Sequence, residues 1–315
     1  MKLGFFRNCA LAALVAVFSL YFTSCPSSGG GNENPPGPTG GEPWTWTGTP
    51  TAAQINKTAS LKVFFAHASV GENTLRGIMR IGAPITYNNT HWWNNDEQLK
   101  TAIINLGDRP AIIGYNQLGQ GAGGGNGNPA SKITAFRNTM NNIVQNKVDI
   151  AFMKFCPVDI ISSGPPGYDN VQALFNDYKA TMDQLVSAYP TVLFVHATKG
   201  INRENAPWGN SISEDFNDLL REQYGELVFD VAAIEALRSD GATATAPDNN
   251  GRTARAMANE WGAPGPASTS PDGYTYGNYD PNSGDVNHLN TAGQNRMGQS
   301  LVAFLAWISD KYLSN

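Results

Sequence analysis

Residues 61–75 read LKVFFAHASVGENTL, and this stretch contains the junction between two elements of secondary structure. Leu61 to Ala66 is an apolar run of strand length, whereas Val70 to Ile81 has the composition of a helix. The sequence therefore predicts a buried strand that turns into a helix within a few residues. Ser69 lies at this turn.

The same alternation of apolar strands and amphipathic helices continues along the chain. Strands without polar alternation, separated by helices, indicate a parallel sheet that is covered on both faces. The further predicted elements are a helix at 130–145, a strand at 148–155, a helix at 171–189, a strand at 191–196, a helix at 212–224, a strand at 227–231 and a last helix from residue 291.

The topology of such a sheet predicts where a site would lie. In open parallel sheets, ligands bind outside the carboxyl ends of the strands. Ser69 follows the first strand and His288 precedes the last helix, so both residues can reach the same edge. Two long stretches, 82–128 and 239–287, exceed ordinary connection lengths and are predicted to be irregular and to build the site.

Composition limits the classes of function. A chain of 315 residues with 41% hydrophobic residues can bury a substantial core, and we expect one domain. The formal net charge of −5 gives no broad basic surface, so a nucleic-acid partner is not expected. The oligomeric state is left open by the sequence.

The N-terminus has the pattern of an export signal. Lys2 and Arg7 precede an apolar run that ends at Cys25, and we predict a signal peptide over residues 1–25. The residues before Cys25 resemble a bacterial lipobox, which implies that Cys25 is lipidated and that the protein is anchored on a membrane surface facing the periplasm or the cell exterior. Such an anchor would be the protein's contact with the membrane. The alternative is an ordinary signal peptide and a soluble secreted protein.

Residues 26–58 are rich in Pro, Gly and Ser, and we predict that they form a tether before a folded domain at 59–315. Trp44 and Trp46 are expected to pack on the edge of that domain, with a small sugar- or membrane-binding patch as the alternative. Once Cys9 is cleaved off and Cys25 is lipidated, Cys156 is the remaining thiol, so no intramolecular disulfide is expected. Cys156 is interpreted as a small buried residue.

Histidine and carboxylate spacing does not indicate a metal site. The four histidines are scattered without a zinc-type pair, and the oxygen-rich sequence DPNSGD at 280–285 does not match a calcium-binding loop. Neither a metal nor a cofactor is expected. His91 is assigned to a packing or substrate-facing loop, and His196 is interpreted as a buried histidine at a strand end, with a position at the rim of the site as the alternative.

The turn at Ser69 and the sequence Asp285-Val286-Asn287-His288 before the last helix together resemble the SGNH (GDSL-type) hydrolases, over about residues 59–313. This resemblance implies a flavodoxin-like three-layer α/β/α sandwich with a mainly parallel five-stranded sheet. It also implies a catalytic triad of Ser69 as nucleophile, His288 as general base and acid, and Asp285 as the carboxylate that orients the imidazole. Ser69 as a simple helix cap is the alternative.

The middle motifs of the family are altered in this chain. A glycine backbone N–H normally contributes to the oxyanion hole, and Gly127 is our choice, with Gly125 as the alternative. The family's Gly-x-Asn-Asp motif is absent, because the strand runs into Lys154-Phe155-Cys156 without an asparagine. The Ser69 backbone N–H and the side chain of Asn126 or Lys154 are the other predicted donors. Lys154 pairing with a carboxylate such as Asp159 is the structural alternative.

Two further residues are predicted to line the substrate site, namely His67 and Trp92. His67 stands where the family has glycine, and support of the turn is the alternative to a position in the site. The resulting hypothesis is a secreted esterase that removes a small acyl group, such as acetyl, from a carbohydrate or other small molecule. The competing hypothesis is a non-catalytic carbohydrate-binding or interaction module on the same fold.

Overall fold

The computed structural model describes residues 44, 48–68, 70–82, 84–90, 95–107, 109–115, 125–262 and 288–313. Within these residues it contains eight α-helices and nine β-strands. The helices are α1 Ala52–Ala59, α2 Val70–Ile81, α3 Asn95–Leu106, α4 Pro129–Thr139, α5 Val171–Ala188, α6 Asn210–Tyr224, α7 Val231–Ala236 and α8 Thr291–Tyr312. The strands are β1 Lys62–Ala66, β2 Tyr87–Thr90, β3 Ala111–Tyr115, β4 Ile150–Met153, β5 Leu193–Phe194, β6 His196–Ala197, β7 Val228–Phe229, β8 Thr245–Pro247 and β9 Thr253–Arg255.

The central sheet has five strands in the order β2-β3-β1-β4-β5, and all neighbouring pairs are parallel. Val195 alone separates β5 from β6, and β6 pairs with β7, also in parallel. Without the edge strand β2, the order is that of a flavodoxin-like sheet, in which the first strand lies between the second and the third. The predicted fold class, a flavodoxin-like α/β fold with a parallel five-stranded sheet, is therefore confirmed.

Helices on the sheet form two contacting groups. Helices α1, α2 and α8 form one group. In this group α8 contacts both α2 and α1. Helices α4, α5 and α6 form the other group. The central strands β3 and β4 are fully buried, as expected for a parallel sheet that is covered on both faces.

The backbones of α2 and α8 are in direct contact because two glycines lie at the crossing. A Cβ atom at Gly77 would lie 1.9 Å from the Gln294 carbonyl oxygen, and one at Gly298 would lie 2.3 Å from the Gly77 carbonyl carbon. Neither position can hold a larger residue without moving the helices apart. The helix that follows Ser69 and the helix that follows His288 are thus fixed against each other.

The folded domain begins earlier than the predicted boundary at residue 59. All but the last residue of helix α1 lies inside the range predicted as tether, and its first turn is closed by a capping box between Thr51 and Gln54. The Thr58 hydroxyl donates a hydrogen bond of 2.8 Å to the Val302 carbonyl in α8. Trp44 packs against Phe304 with ring centroids 5.5 Å apart, which confirms that it packs on the domain.

The long stretch at 82–128 is not irregular throughout, which corrects the sequence-based prediction. It contains β2, α3 and β3, and β3 is a central strand that pairs with β1 along its whole length. The stretch at 239–287 contains the hairpin of β8 and β9. The predicted helix at 130–145 ends as α4 at Thr139 and continues as a π-helix over Met140–Val144, after which Gln145 has φ +52°.

Residues 1–25, which include the predicted signal and Cys25, lie outside the described residues, as does Trp46. None of the helices in the described part of the chain combines the length and the apolarity of a membrane span.

Candidate active site

The structure describes the residues on both sides of the turn at Ser69, which is predicted to carry the nucleophile. Strand β1 ends at Ala66, α2 begins at Val70, and both Ala68 and Val70 are buried, whereas Ser69 itself lies outside the described residues. The His67 N–H donates to the Tyr115 carbonyl in β3 at 2.9 Å. The turn therefore lies at the carboxyl end of β1, where open parallel sheets bind their ligands.

His67 is buried inside the fold. Its ring centroid lies 5.0 Å from that of Phe65, and its side chain occupies the space beside Gly71, where an added Cβ would approach the His67 Cβ to 2.4 Å. The predicted position of His67 in the substrate site stays a prediction, because Ser69 and the segment 263–287 lie outside the described residues. The burial of the His67 side chain agrees with the alternative, in which His67 supports the turn at Ser69 by packing beneath it in the core.

The residue after His288 is attached to the first turn of α2. The Leu289 N–H donates to Asn73 Oδ1 at 3.3 Å, and the Gln294 side chain donates to the Leu289 carbonyl at 2.8 Å. Arg80, two turns further along α2, donates to Gln294 Oε1 at 2.7 Å. Both backbone groups of Leu289 are therefore fixed, so the half-buried His288 is held beside the helix that follows Ser69.

A second set of hydrogen bonds closes the loop that leads to His288. Gly262 forms a β-bridge with Leu289, and the Asn290 N–H donates to the Trp261 carbonyl at 2.8 Å. The Asn290 side chain donates to the Glu260 and Gly262 carbonyls and accepts from the Gly293 N–H, which caps α8. We name this set of contacts the loop clamp.

The segment between the two sides of the loop clamp, 263–287, lies outside the described residues. Asp285, the predicted orienting carboxylate, belongs to it, so its role stays a prediction. The same holds for the sequence DPNSGD and for His91 and Trp92 in the earlier loop.

Gly127 adopts a left-handed backbone conformation with φ +87°, which favours glycine at this turn. Its N–H donates to Asp159 Oδ1 at 2.8 Å. This hydrogen bond conflicts with the predicted role of Gly127 as an oxyanion donor, because its single N–H already binds a carboxylate inside the protein.

The orientation of the Asn126 amide is fixed by Lys132. The Lys132 ammonium donates to Asn126 Oδ1 at 2.8 Å, and lysine can only donate. The Asn126 amide NH2 group therefore faces away from Lys132. This orientation is compatible with the predicted donor role of Asn126.

The loop that follows β4 contacts the nucleophile turn directly. The Lys154 N–H donates to the Ala66 carbonyl at 3.0 Å, and the buried Cys156 thiol donates to the Ala68 carbonyl at 2.9 Å. Cys156 is thus the small buried residue that was predicted. Its thiol donates a hydrogen bond to the carbonyl of the residue before Ser69.

Asp159 pairs with Lys132 and not with Lys154, the lysine proposed for it from the sequence. The Lys132 ammonium lies 2.6 Å from Asp159 Oδ2, and both side chains have no exposed surface. The Lys154 ammonium donates instead to the Phe155 carbonyl at 3.1 Å. A buried ion pair with this geometry and additional hydrogen bonds can compensate for the loss of hydration.

Lys154 belongs to a second group of buried charges that includes Glu235. A Cβ at Gly200 would lie 3.2 Å from both Glu235 oxygens and 3.4 Å from Lys154 Nζ, so glycine leaves room for these charges to approach. Burial raises the pKa of the Glu235 carboxyl to about 7, although the positive charge of Lys154 acts in the opposite direction. Glu235 Oε2 also accepts a hydrogen bond from the Ile201 N–H at 2.8 Å.

Lys199 forms a contact that resembles the serine–lysine pairs of some hydrolases. Its ammonium donates to Ser213 Oγ at 2.6 Å, and burial lowers its pKa to about 7. Both side chains have no exposed surface, so no substrate can reach the pair. We assign it to the core between α6 and the sheet.

His196 is a structural residue. Its Nδ1 forms a hydrogen bond of 2.8 Å with the Tyr178 hydroxyl, and its ring stacks on Tyr224 with centroids 3.4 Å apart. Burial lowers the pKa of His196 to about 3, so the ring stays neutral at ordinary pH. This agrees with the interpretation of a buried strand-end histidine.

Three residues of this region were not identified from the sequence, namely Asn73, Lys132 and Glu235. Lys132 carried a detectable signal, because it lies at positions i−4 and i−8 from the buried Phe136 and Met140 and therefore on the apolar face of α4. Asn73 and Glu235 carry no comparable signal. Among the described residues, no group of three or more histidine, cysteine or acidic side chains has a metal-binding arrangement.

No protein-family model matches the sequence, and no curated protein matches it. The chain is similar to solved structures at low identity. A Streptococcus pneumonia protein named for platelet activating factor is 14% identical with a TM-score of 0.42, and the match covers 80% of this chain and 91% of that one. A carbohydrate esterase family 3 structure from Talaromyces cellulolyticus is 14% identical with a TM-score of 0.37, covering 80% and 99%. The lipase/acylhydrolase from Enterococcus faecalis is 13% identical with a TM-score of 0.33, covering 57% and 86%.

Proposed function

We propose that this protein is a serine esterase in which Ser69, His288 and Asp285 form the catalytic triad. The observation that carries the proposal is the hydrogen bond from the Leu289 N–H to Asn73 Oδ1. It attaches the residue after His288 to the first turn of the helix that begins directly after Ser69. The hydrogen bond joins residues that flank the two motifs, more than two hundred residues apart in sequence, and this contact supports a shared site at the carboxyl edge of the sheet.

The chemistry of ester hydrolysis assigns a role to each group. The Ser69 hydroxyl attacks the carbonyl carbon of the ester while the His288 imidazole takes its proton, and the same imidazole returns a proton to the leaving alcohol. Water then hydrolyses the acyl-enzyme by the reverse proton transfers. Asp285 orients the imidazole and stabilises its charged form. The Ser69 N–H and the Asn126 amide are the proposed donors to the oxyanion.

A fluorophosphonate probe tests this proposal, since it forms a covalent bond with an activated serine hydroxyl. We expect wild-type protein to be labelled at Ser69, and Ser69→Ala and His288→Ala to be unlabelled while melting at similar temperatures. Ser60→Ala is the matched control, because Ser60 is exposed and precedes β1 at the opposite edge of the sheet. Labelling of Ser69→Ala, or normal labelling of His288→Ala, would contradict the triad.

We further propose that the ester substrate is an acylated carbohydrate. The supporting feature is Trp208, whose side chain is exposed although its backbone is held firmly; the residue as a whole is 65% exposed. Asn202 donates to the Trp208 carbonyl, and the Gly209 N–H donates to the Asn249 side chain at 3.0 Å. A fixed, exposed indole provides a flat apolar surface for the C–H face of a sugar ring.

Trp208 lies next to the loop that contacts the nucleophile turn. A Cβ at Gly209 would lie 2.6 Å from the Ser162 N atom, so these two loops are in backbone contact. With an acetylated glycan, we expect Trp208→Ala to raise KM severalfold, whereas kcat/KM for p-nitrophenyl acetate should not change. Ile104→Ala, which removes another exposed apolar side chain, is the control. An equal loss on both substrates in Trp208→Ala would contradict a sugar-binding role.

A non-catalytic binding module is the second candidate function. It is supported by the hydrogen bond that occupies the Gly127 N–H and by the absence of asparagine after β4. This candidate predicts that Ser69 stays unlabelled in the native protein. It also predicts that the glycan binds without being deacylated.

We also propose that the protein is exported and lipid-anchored through Cys25, on the basis of the charged and apolar residues that precede it. Full-length protein produced in bacteria should partition with membranes, and Cys25→Ala should not acquire lipid. Mass spectrometry of the mature N-terminus checks this. An unmodified mature protein that begins at another residue would contradict lipidation.

A further inference from the structure

Asp159 is the centre of a buried hydrogen-bonded network. Its Oδ1 accepts from the Gly127 N–H at 2.8 Å, and its Oδ2 accepts from the Cys156 N–H and from the Lys132 ammonium, each at 2.6 Å. One carboxylate therefore joins the loop before α4 to the loop after β4. Lys132 extends the network to Asn126.

The network continues to the nucleophile turn. Cys156, whose N–H binds Asp159, donates through its thiol to the Ala68 carbonyl at 2.9 Å. Ala68 immediately precedes Ser69. A continuous path of hydrogen bonds thus runs from Asn126 through Lys132, Asp159 and Cys156 to the turn.

We propose that Asp159 is a positioning residue that holds the nucleophile turn and the Asn126 loop in one fixed arrangement. The inference rests on the proposed esterase function, and it assigns to Asp159 and Lys132 the alignment of Ser69 with its oxyanion donor. The Gly-x-Asn-Asp motif would place an asparagine after β4. Here the same loop positions the Asn126 amide, through Asp159 and Lys132.

Removal of the carboxylate alone is not sufficient as a test, because it leaves the Lys132 ammonium buried and unpaired and could unfold the protein. The informative variant is therefore Asp159→Asn combined with Lys132→Met, which removes both charges with little change of volume. Well-packed hydrophobic residues of similar volume often replace a buried charge pair without loss of stability, and methionine is such a replacement for Lys132. A purely structural pair would then leave activity unchanged in the double variant.

We expect the double variant to melt near the wild-type temperature but to lose about ten- to a hundredfold in kcat, with a smaller change in KM. Hydrogen–deuterium exchange should increase in the peptides that cover 64–75 and 125–131. The exchange measurement does not depend on catalysis. If the wild-type protein is unreactive towards fluorophosphonate while the double variant still shows these exchange changes, the esterase function is refuted and the positioning network remains.

Cys156 tests the last link of the path. Cys156→Ser keeps a donor to the Ala68 carbonyl and should keep near wild-type exchange at 64–75, whereas Cys156→Ala should increase it. Thr58→Ala is the matched control, since it also removes a buried side-chain donor to a backbone carbonyl, but between α1 and α8. Unchanged exchange at 64–75 in both the double variant and Cys156→Ala would overturn the proposal.

Discussion

Gly298→Ala should lower kcat by a larger factor than its loss of folding stability would explain. The new Cβ would lie 2.3 Å from the Gly77 carbonyl carbon, whereas ordinary van der Waals contacts begin at 3.4 Å. The two helices must therefore separate by about 1 Å at their crossing. Overpacking of this kind costs about 1–3 kcal/mol, partly offset by the higher helix propensity of alanine, about 1 kcal/mol.

The same separation changes the distance between the two catalytic groups. Helix α2 begins directly after Ser69 and α8 begins shortly after His288, so movement of one helix against the other shifts the hydroxyl relative to the imidazole. A misplacement of about 1 Å at a reacting centre can cost about a hundredfold in rate. We therefore expect kcat for a small acyl ester to fall by one to two orders of magnitude.

The assay compares kcat and melting temperature with those of Leu185→Ala. Leu185 is buried in α5, in the other group of helices, and its truncation should cost about 2–5 kcal/mol without moving α2 or α8. Leu185→Ala should keep nearly full kcat below its melting temperature. If Gly298→Ala loses no more activity than Leu185→Ala, the glycine contact does not set the catalytic geometry.

Three further results are expected. Asn73→Ala should lower kcat about tenfold, because the Leu289 N–H loses its acceptor, while Asn73→Asp should retain most activity; steady-state kinetics on both variants checks this. Glu235 binds its proton more tightly in the folded than in the unfolded protein, so the free energy of unfolding should fall by up to about 3 kcal/mol as pH rises from the ordinary carboxyl pKa to about 7. Urea unfolding at several pH values should show that Glu235→Gln reduces this decline, and an unchanged decline would contradict it. Trp44→Ala should lower the urea midpoint, corresponding to at least about 1 kcal/mol, because it removes ring packing on Phe304; an unchanged midpoint would contradict the contact.

The sequence was sufficient where a signal is local. The helix predicted over 70–81 is present with the same bounds, because its polar and apolar residues alternate with helical spacing directly after an apolar strand. Strand β3 was missed since its five residues, AIIGY, form a short run that includes a glycine. Its pairing with β1 joins Lys62 to Ala111, and no local pattern encodes such a distant partner.

In the candidate site, too, some features were predictable from the sequence and others depend on contacts between distant residues. The convergence of the Ser69 and His288 regions followed from the topology of a parallel sheet, which places strand ends and helix starts at one edge. The partner of Asp159 did not follow from the sequence, because Lys154 is five residues away and Lys132 is twenty-seven. Only the packing of α4 against the loop after β4 decides between them.

The loop clamp between Gly262 and Leu289 makes the intervening segment tolerant to changes in length. Its two ends are fixed side by side, and the entropic cost of closing a flexible loop rises by only about 0.6 kcal/mol for each doubling of its length. Insertions after Gly262 can therefore be acquired without displacing His288. Related chains could diverge in ligand preference by exchanging the part of this segment that precedes Asp285, and a peptide tag or a whole domain could be inserted there by design.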